Sequence, residues 1–256
     1  MLYICLPSRN EAATVGVLLW RIRKVFADYS REYEVLVYDD ASTDGTRETL
    51  EPYGKVMPLT VLGGTSPVGY AKAVDALLRA ASERTRYPRR DAVVLMQADF
   101  TDAPEHLPEL VKRFEGGADF VATERVLDDA APPVERKRLG LLRRVTTLWP
   151  FRRFVAVAGV PDPFGAYRLI RLSVVRDVLK AREAHPVTDL PVSAANAELA
   201  REVVAQARRV ETIPVTPRWD IRPRETRARP WRDALDVARR AWATRALFPA
   251  RRPRAS

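Results

Sequence analysis

The chain has 256 residues, of which 46% are hydrophobic and 30% charged, a composition able to bury one large core. A single cysteine, Cys5, excludes an intramolecular disulfide, and no window approaches the ~18 apolar residues of a membrane-spanning helix. Residues 217–256 hold 12 Arg against 4 acidic residues, so this segment carries most of the net charge of +10. A nearly neutral body with a basic tail indicates a local binding function of the tail, such as binding to lipid phosphates. It does not indicate a general nucleic-acid-binding surface.

Short apolar runs alternate with helical patterns in the first half of the chain. The predicted strands are 2–6, 34–38, 57–62, 92–96 and 119–122, and the predicted helices are about 12–27, 44–53, 68–83 and 104–116. Strands separated by helices of this length indicate βαβ units, so the sequence predicts an α/β fold with a mainly parallel central sheet flanked by helices. Ligands of such sheets bind beyond the carboxyl ends of the strands.

Polar loops follow the first, second and fourth predicted strands. They read Pro-Ser-Arg-Asn-Glu at 7–11, Asp-Asp-Ala-Ser-Thr-Asp-Gly-Thr at 39–46 and Gln-Ala-Asp-Phe-Thr-Asp at 97–102. Each loop alone also fits ordinary capping, because Asn, Asp and Ser favour turns and helix N-termini. Since all three lie at one edge of the predicted sheet, together they predict a binding site.

The three loops resemble the signatures of family 2 glycosyltransferases, which read Pro-x-x-Asn-Glu, Asp-Asp-x-Ser-x-Asp-Gly-Thr and Asp-x-Asp. The similarity continues at residues 69–74, 123–125, 162–168 and 211–215. Asp75 stands where a glycine is usual. The resemblance covers about residues 1–216 and implies a GT-A type fold, with a Rossmann-like nucleotide half at 1–125 and an acceptor half at 126–216. The motif order is most similar to the polyprenyl-phosphate branch typified by dolichol-phosphate mannose synthase.

The resemblance also assigns a donor site. The residues that it places at the nucleotide sugar are Pro7, Arg9, Glu11, Asp39, Asp40, Gln97, Ala98 and Asp99. Within this set, Asp39 and Asp40 would hold the nucleoside, and Pro7 and Glu11 would line its pocket.

A divalent cation, Mg²⁺ or Mn²⁺, would neutralise the leaving nucleoside diphosphate, and the resemblance makes Asp99 and Thr101 its ligands. Gln97 departs from the family, because it replaces the first Asp of Asp-x-Asp with an amide that binds metal poorly. Three interpretations stay open. Asp99 suffices, since Mg²⁺ takes one or two carboxylates; or cationic side chains replace the ion; or the activity has been lost.

Further charged residues are candidates for catalysis or phosphate binding besides Asp99. Arg125 follows the fifth predicted strand and suits bidentate phosphate binding, although an exposed surface arginine is the alternative. Asp162 is a candidate catalytic residue on the acceptor side, or an ordinary turn residue. Arg218 and Arg222 belong to an Arg-rich loop that either closes over a diphosphate or lipid phosphate or forms a solvated linker.

Residues 217–256 predict this Arg-rich loop followed by a basic amphipathic helix from Pro230 onward. The apolar positions of the helix are Trp231, Leu235, Ala238, Trp242 and Ala246. Such a helix either lies in the headgroup layer of a membrane or packs against the body. The amino terminus lacks a signal-peptide pattern, so we expect a cytoplasmic location with peripheral attachment to the inner face of the membrane.

The sequence therefore predicts a glycosyltransferase that moves a sugar from a nucleotide-sugar donor to a polyprenyl phosphate, with inversion and divalent-metal assistance. A soluble or polysaccharide acceptor is one alternative, and a nucleotide-sugar-binding pseudoenzyme, suggested by Gln97, is another. Specific nucleic-acid binding is disfavoured because the chain has no recognition motif and carries three acidic loops. The donor sugar, its base, the acceptor and the oligomeric state do not follow from the residues.

Overall fold

A computed structural model of the chain describes residues 1–148, 155–219 and 229–243. The strands are β1 (Leu2–Ser8), β2 (Tyr33–Asp39), β3 (Leu59–Leu62), β4 (Ala92–Leu95), β5 (Phe120–Arg125), β6 (Arg168–Arg171) and β7 (Val210–Val215). The α-helices are α1 (Ala12–Asp28), α2 (Thr46–Leu50), α3 (Tyr70–Arg84), α4 (Leu107–Glu115), α5 (Pro133–Thr147), α6 (Leu172–Ala184), α7 (Val192–Gln206) and α8 (Pro230–Ala243). Two 3₁₀ turns, Glu51–Lys55 and Pro104–His106, extend α2 and precede α4.

All seven strands form one sheet in the order β3-β2-β1-β4-β6-β5-β7. The pairs β1–β2, β1–β4, β2–β3 and β5–β7 are parallel, whereas β6 runs antiparallel to β4 and β5. The expected α/β fold with a mainly parallel sheet is therefore confirmed. The first five strands and four helices lie within a few residues of their predicted positions.

Helices cover both faces of the sheet, which is why its central strands read as continuous apolar runs. On one face, α1 buries Leu18, Leu19 and Ile22 at helical spacing. On the other face, α3 buries Leu77 and Leu78 beside α6 and α7. Each fully buried side chain of this size contributes roughly 1.5–3 kcal/mol. This packing fixes the amino ends of α1 and α3 at the carboxyl edge of the sheet.

The predicted C-terminal helix is present as α8, but of its expected apolar positions only Ala238 packs against the body within the described residues. Ala234, Val237 and Ala241 pack in a cluster with residues of α5 and α7. Trp231 and Trp242 are exposed instead. Small side chains allow close contact between helices, so the smaller residues face the body. Ala246 lies outside the described residues.

None of the helices in the described parts of the chain combines the length and the hydrophobicity needed to cross a bilayer.

Candidate functional site

The strand order reverses direction between β1 and β4, which are parallel neighbours at the centre of the sheet. The chain moves from β1 towards β2 and β3, but from β4 towards the opposite edge. Ligands of open α/β sheets bind in the crevice outside the carboxyl ends of strands at such a switch point. The loops after Ser8 and Leu95 border this crevice.

The first two polar loops are bound to each other by hydrogen bonds. The backbone N–H of Asn10 donates to Ser42 Oγ at 2.9 Å, and the N–H of Thr43 donates to Asn10 Oδ1 at 2.9 Å. The N–H of Glu11 donates to Thr46 Oγ1 at 2.9 Å. The residues that form turns and helix caps in these two loops therefore also hold the loops in a fixed position relative to each other.

Each of the three loops contains one non-glycine residue with a left-handed backbone. The φ angles are 55° at Asn10, 53° at Ala41 and 66° at Phe100, and no other described non-glycine residue has a positive φ. Such conformations cost of order 1–3 kcal/mol and persist where the surroundings enforce them, most often at functional sites. This concentration of strain at one sheet edge independently marks the loops as a site.

Asp40 joins the second loop to the amino end of α3. Its two carboxylate oxygens accept the N–H groups of Val68 at 2.6 Å and Gly69 at 3.1 Å, and Arg9 Nη1 lies 3.9 Å away. A carboxylate at this end of a helix satisfies unpaired N–H groups and interacts favourably with the helix dipole. Asp40 therefore positions the start of α3 beside the first loop.

Asp39, at the end of β2, is buried, and its Oδ1 accepts the N–H of Ser42 at 3.3 Å. The backbone of Gly63 passes so close that a Cβ there would lie 2.1 Å from the Asp39 carbonyl oxygen. Gly63 also has φ +119°. A glycine is therefore required for the chain after β3 to pass over the end of β2.

A cavity of about 250 Å³ opens at the switch point. Of the eight residues predicted to bind the nucleotide sugar, five line it: Pro7, Arg9, Asp40, Gln97 and Ala98. Glu11, Asp39 and Asp99 are buried and belong to the same three loops, but they are not part of the cavity wall.

The sequence interpretation missed two polar side chains in the cavity wall. Ser8 is buried, and its Oγ has no hydrogen-bond partner within the described residues. Tyr70 donates its hydroxyl to Asn196 Oδ1 at 2.9 Å, and burial raises its pKa to about 12. Ser8 lies between the predicted residues Pro7 and Arg9, and its position at the carboxyl end of β1 was the available signal.

The third loop folds around two buried carboxylates. Asp99 Oδ1 accepts the N–H of Thr101 at 3.0 Å, and Asp102 Oδ2 accepts the N–H of Gln97 at 2.8 Å. Burial raises the pKa of Asp102 to about 7; the Asp99 carboxylate adds to this, while the hydrogen bond from Gln97 opposes it. Asp102 thus supports the loop backbone at the position where Gln97 reaches the cavity.

The oxygen atoms of this loop could coordinate a divalent cation only if the bound nucleotide supplied further ligands. Within the described residues no group of three or more His, Cys, Asp or Glu side chains is arranged to hold a metal. Asp99 and the hydroxyl of Thr101 are the candidate oxygen ligands in this loop, beside a neutral Gln97. Mg²⁺ is commonly bound by one or two carboxylates together with substrate phosphates, and this set matches that mode.

Arg125 and Asp162 contact each other. Arg125 Nε and Nη2 donate to the two oxygens of Asp162 at 2.6 and 3.0 Å, and Asp162 also accepts the N–H of Phe164 at 3.3 Å. Burial disfavours both charges, but their pairing outweighs it, so the pKa of Arg125 is raised and that of Asp162 is lowered. Arg125 is only 8% exposed, so the interpretation as an exposed surface arginine is wrong.

A second buried cation, Arg168, was not predicted. Its guanidinium donates to backbone carbonyls, among them those of Asn196 at 3.0 Å and Gly165, and burial lowers its pKa to about 10. Arg218 is half-buried, and Arg222 lies outside the described residues. The available signals for Arg168 were its place at the end of the family-like segment 162–168 and its position within an apolar strand.

The family model described as glycosyl transferase family 2 matches residues 3–179. The chain belongs to this family. The matched range includes the three loops and the Arg125–Asp162 pair, so the family resemblance inferred from the motifs is confirmed.

Two curated relatives carry names that refer to a polyprenyl carrier, which agrees with the branch that the motif order indicated. The chain is 30% identical to undecaprenyl-phosphate 4-deoxy-4-formamido-L-arabinose transferase of Aeromonas hydrophila over 122 residues, 48% of this chain and 36% of that protein. It is 26% identical to bactoprenol glucosyl transferase of Shigella phage SfV over 178 residues, 68% of this chain and 53% of that protein. The chain thus spans about half or less of the length of these relatives.

Solved structures of low sequence identity share the fold. Mannosyl-3-phosphoglycerate synthase of Rubrobacter xylanophilus is 19% identical with a TM-score of 0.64, covering 100% of this chain and 78% of that chain. Glucosyl-3-phosphoglycerate synthase of Mycobacterium tuberculosis, in complex with Mn²⁺ and UDP-glucose, is 17% identical with a TM-score of 0.60, covering 98% and 80%. The GT-A fold expected from the resemblance is confirmed.

Proposed function

We propose that this chain transfers a sugar from a nucleotide-sugar donor to a polyprenyl phosphate. The observation that carries the proposal is the cavity at the switch point of a family 2 fold, with Arg9, Asp40 and Gln97 in its wall. Strained and hydrogen-bonded loops hold these residues in place before any ligand binds, and such preorganisation lowers the cost of binding.

The donor's nucleoside would occupy this cavity. Ser8 Oγ and the Gln97 amide offer hydrogen-bonding groups suited to the hydroxyls of a ribose or the edge of a base. Asp40 holds the amino end of α3 against the same wall. We assign these three residues to orienting the nucleoside, with the diphosphate extending towards Asp99.

A divalent cation held by Asp99, with Thr101 as a second ligand, would neutralise the charge that develops on the leaving diphosphate. Asp99 itself is kept in place by the N–H of Thr101. Because one carboxylate is a weak site for a divalent cation, we expect the ion to bind together with the donor. The glucosyl-3-phosphoglycerate synthase of the same fold was solved with Mn²⁺ and UDP-glucose together.

The cavity in which the donor would bind supplies no free carboxylate as a general base within the described residues, which supports an acceptor that is already ionised. Asp40 is the only carboxylate lining it within the described residues, and its two oxygens are bound by backbone N–H groups. Tyr70 has a pKa of about 12 and stays neutral at physiological pH. A phosphate oxygen needs no general base, whereas a hydroxyl acceptor does.

In the proposed step, an acceptor phosphate oxygen attacks the anomeric carbon of the sugar. The new carbon–oxygen bond forms on the face opposite the diphosphate, the bond to the diphosphate breaks, and the nucleoside diphosphate leaves with its electron pair. The anomeric configuration is inverted. The names of the curated relatives, undecaprenyl-phosphate and bactoprenol transferases, support a polyprenyl phosphate as the acceptor.

One observation favours a second candidate, transfer to the hydroxyl of a soluble acceptor. The exposed carboxylate of Asp189 lies over Gly69, a residue of the cavity wall, so that a Cβ there would be 2.5 Å from Asp189 Oδ1. A carboxylate beside the cavity could act as the general base that a hydroxyl acceptor requires.

Product analysis by mass spectrometry separates these functions. The chain would be incubated with labelled UDP, GDP or dTDP sugars and Mn²⁺, with either a short polyprenyl phosphate in detergent or a panel of soluble acceptors. The proposal expects a sugar-phosphate lipid that is lost in Asp99→Asn and retained in Asp189→Asn. A soluble product lost in Asp189→Asn would establish the second candidate, and donor binding without any product would establish a pseudoenzyme.

A further inference from the structure

We propose that the outward side of α8 is a docking face for an anionic lipid surface. The face consists of Trp231, Leu235 and Trp242, with Arg232 and Arg239 beside them. This inference concerns where the chain binds and does not depend on the proposed reaction.

A different side of α8 is fixed to the body of the protein. Ala234 and Val237 pack in a cluster with α5 and α7. Asp233 accepts a hydrogen bond from Arg138 Nε at 2.6 Å. Arg240 Nε donates to Glu198 at 2.9 Å. With apolar packing and two ion pairs on this side, the helix keeps the docking face turned outward.

The docking face is apolar although it faces outward. Its residues stand four and seven positions apart, so at 100° per residue they lie within about 40° of each other around the helix axis. Trp231 is 68% exposed, Leu235 is 49% exposed and Trp242 is 57% exposed. Large apolar side chains aligned in this way mark a surface that contacts another apolar phase.

Positive charge surrounds these apolar side chains. The side chains of Arg232 and Arg239 are 68% and 71% exposed, and both approach Asp236, at 4.0 and 3.9 Å. The ammonium group of Lys137 lies 5.6 Å from the ring centre of Trp231. The neighbouring α5 carries five basic residues and one acidic residue. A partner for this face must therefore tolerate cations or carry negative charge.

An anionic lipid surface offers both an apolar phase for the exposed side chains and negative charge for the arginines. Tryptophan prefers the interface between headgroups and acyl chains, and arginine reaches the lipid phosphates around it. A second copy of the chain would bring Arg232, Arg239 and Lys137 against their own like charges. Stable protein interfaces also bury about 800 Å² on each partner, more than three side chains provide.

Helix α8 is connected to the wall of the cavity through a short series of contacts. Arg138, which pairs with Asp233 of α8, also donates from Nη2 to Ser193 Oγ at 3.0 Å. Ser193 follows Val192, which lines the cavity. A lipid surface bound at α8 would therefore lie on the side of the protein where α7 begins.

Vesicle co-sedimentation of the full chain tests the docking face. Binding to phosphatidylcholine vesicles with and without phosphatidylglycerol would be compared for the native chain and Trp231→Ala/Leu235→Ala. We expect the native chain to prefer the anionic vesicles and the double variant to bind them about tenfold more weakly, because two partly inserted side chains are lost. Arg232→Gln/Arg239→Gln should weaken the preference for phosphatidylglycerol.

The matched control is Val17→Ala/Trp20→Ala on α1. Trp20 is 53% exposed, Val17 is 52% exposed, and Lys24 lies 5.7 Å from the Trp20 ring centre, so the same kinds of side chain are removed elsewhere. This control should bind vesicles like the native chain, and thermal unfolding would verify that both variants are folded. Three results would overturn the proposal: no binding by the native chain, equal binding by the α8 double variant, or a concentration-dependent dimer that only the α8 variant loses.

Discussion

Arg125 and Asp162 form a buried bidentate ion pair between the end of β5 and the segment before β6. The two hydrogen bonds, at 2.6 and 3.0 Å, occupy Nε and Nη2 of the guanidinium and both carboxylate oxygens. Nη1 of Arg125 donates no hydrogen bond within the described residues. The pair thus joins two chain segments and fixes the position of the Arg125 guanidinium.

Removing one partner of this pair should strongly destabilise the fold. Asp162→Ala leaves Arg125 buried without a counter-ion, and we expect a loss of about 3–5 kcal/mol in the free energy of unfolding. Equilibrium unfolding in urea measures this free energy for the native protein and the variant. Arg125→Met/Asp162→Leu should recover much of the loss, because no charge is left unpaired. The exposed pair of Arg113 and Glu109 serves as control, and Glu109→Ala should lower the stability far less than Asp162→Ala, because solvent screens this pair. Additive effects of the two buried substitutions would contradict this account.

Ser8→Ala should weaken donor binding without destabilising the protein. Its Oγ has no partner within the described residues, so its removal leaves the unfolding free energy unchanged or raises it. Loss of one neutral hydrogen bond to the donor should reduce affinity about 3- to 10-fold, measured by calorimetry. Ser42→Ala is the contrasting variant, since Ser42 Oγ accepts the N–H of Asn10 and its loss should lower stability. Unchanged donor affinity in Ser8→Ala would remove Ser8 from the site.

Gly63→Ala should unfold the second loop region, whereas Gly64→Ala should be tolerated. A Cβ at Gly63 would lie 2.1 Å from the Asp39 carbonyl oxygen, and the residue has φ +119°. No atom lies within 4 Å of a Cβ at Gly64. We expect a stability loss of more than ~2 kcal/mol for the first variant and less than ~0.5 kcal/mol for the second, by thermal or urea unfolding. Equal effects would show that the chain after β3 takes another path.

The raised pKa of Asp102 predicts a pH-dependent stability. Burial raises this pKa from 3.8 to about 7, so the folded protein binds the proton more tightly than the unfolded chain. The stabilising contribution is complete below pH ~4, falls as the pH rises and is lost above pH ~7. Asp102→Asn removes the titration and can still accept the N–H of Gln97. In metal-free buffer, the melting temperature of the variant relative to the native protein should rise between pH 5 and 8. Parallel curves for the two proteins would contradict the prediction.

The sequence predicted the first half of the chain well because its signals are local. Apolar runs such as 2–6 and 92–96 end in polar loops, and the sheet topology brings those loops to one edge without further information. The positions of Arg9, Asp40 and Gln97 in one cavity follow from that topology.

The second half depends on contacts that sequence spacing does not reveal. The pairing of Arg125 with Asp162, and the placing of Arg168 among backbone carbonyls, require the tertiary fold. The same holds for α8, where spacing identified an amphipathic helix but could not decide which side packs. The smaller Ala234 and Val237 face α5 and α7, and Trp231 faces outward.

Calorimetry of donor binding tests the central claim most directly. The native chain and Asp99→Ala would be titrated with UDP, GDP and dTDP sugars, with and without Mn²⁺. The account predicts that one donor binds, that Mn²⁺ strengthens its binding, and that Asp99→Ala removes this metal dependence. If no donor binds to the native chain under any of these conditions, the cavity at the switch point is not a nucleotide-sugar site and the proposed function is wrong.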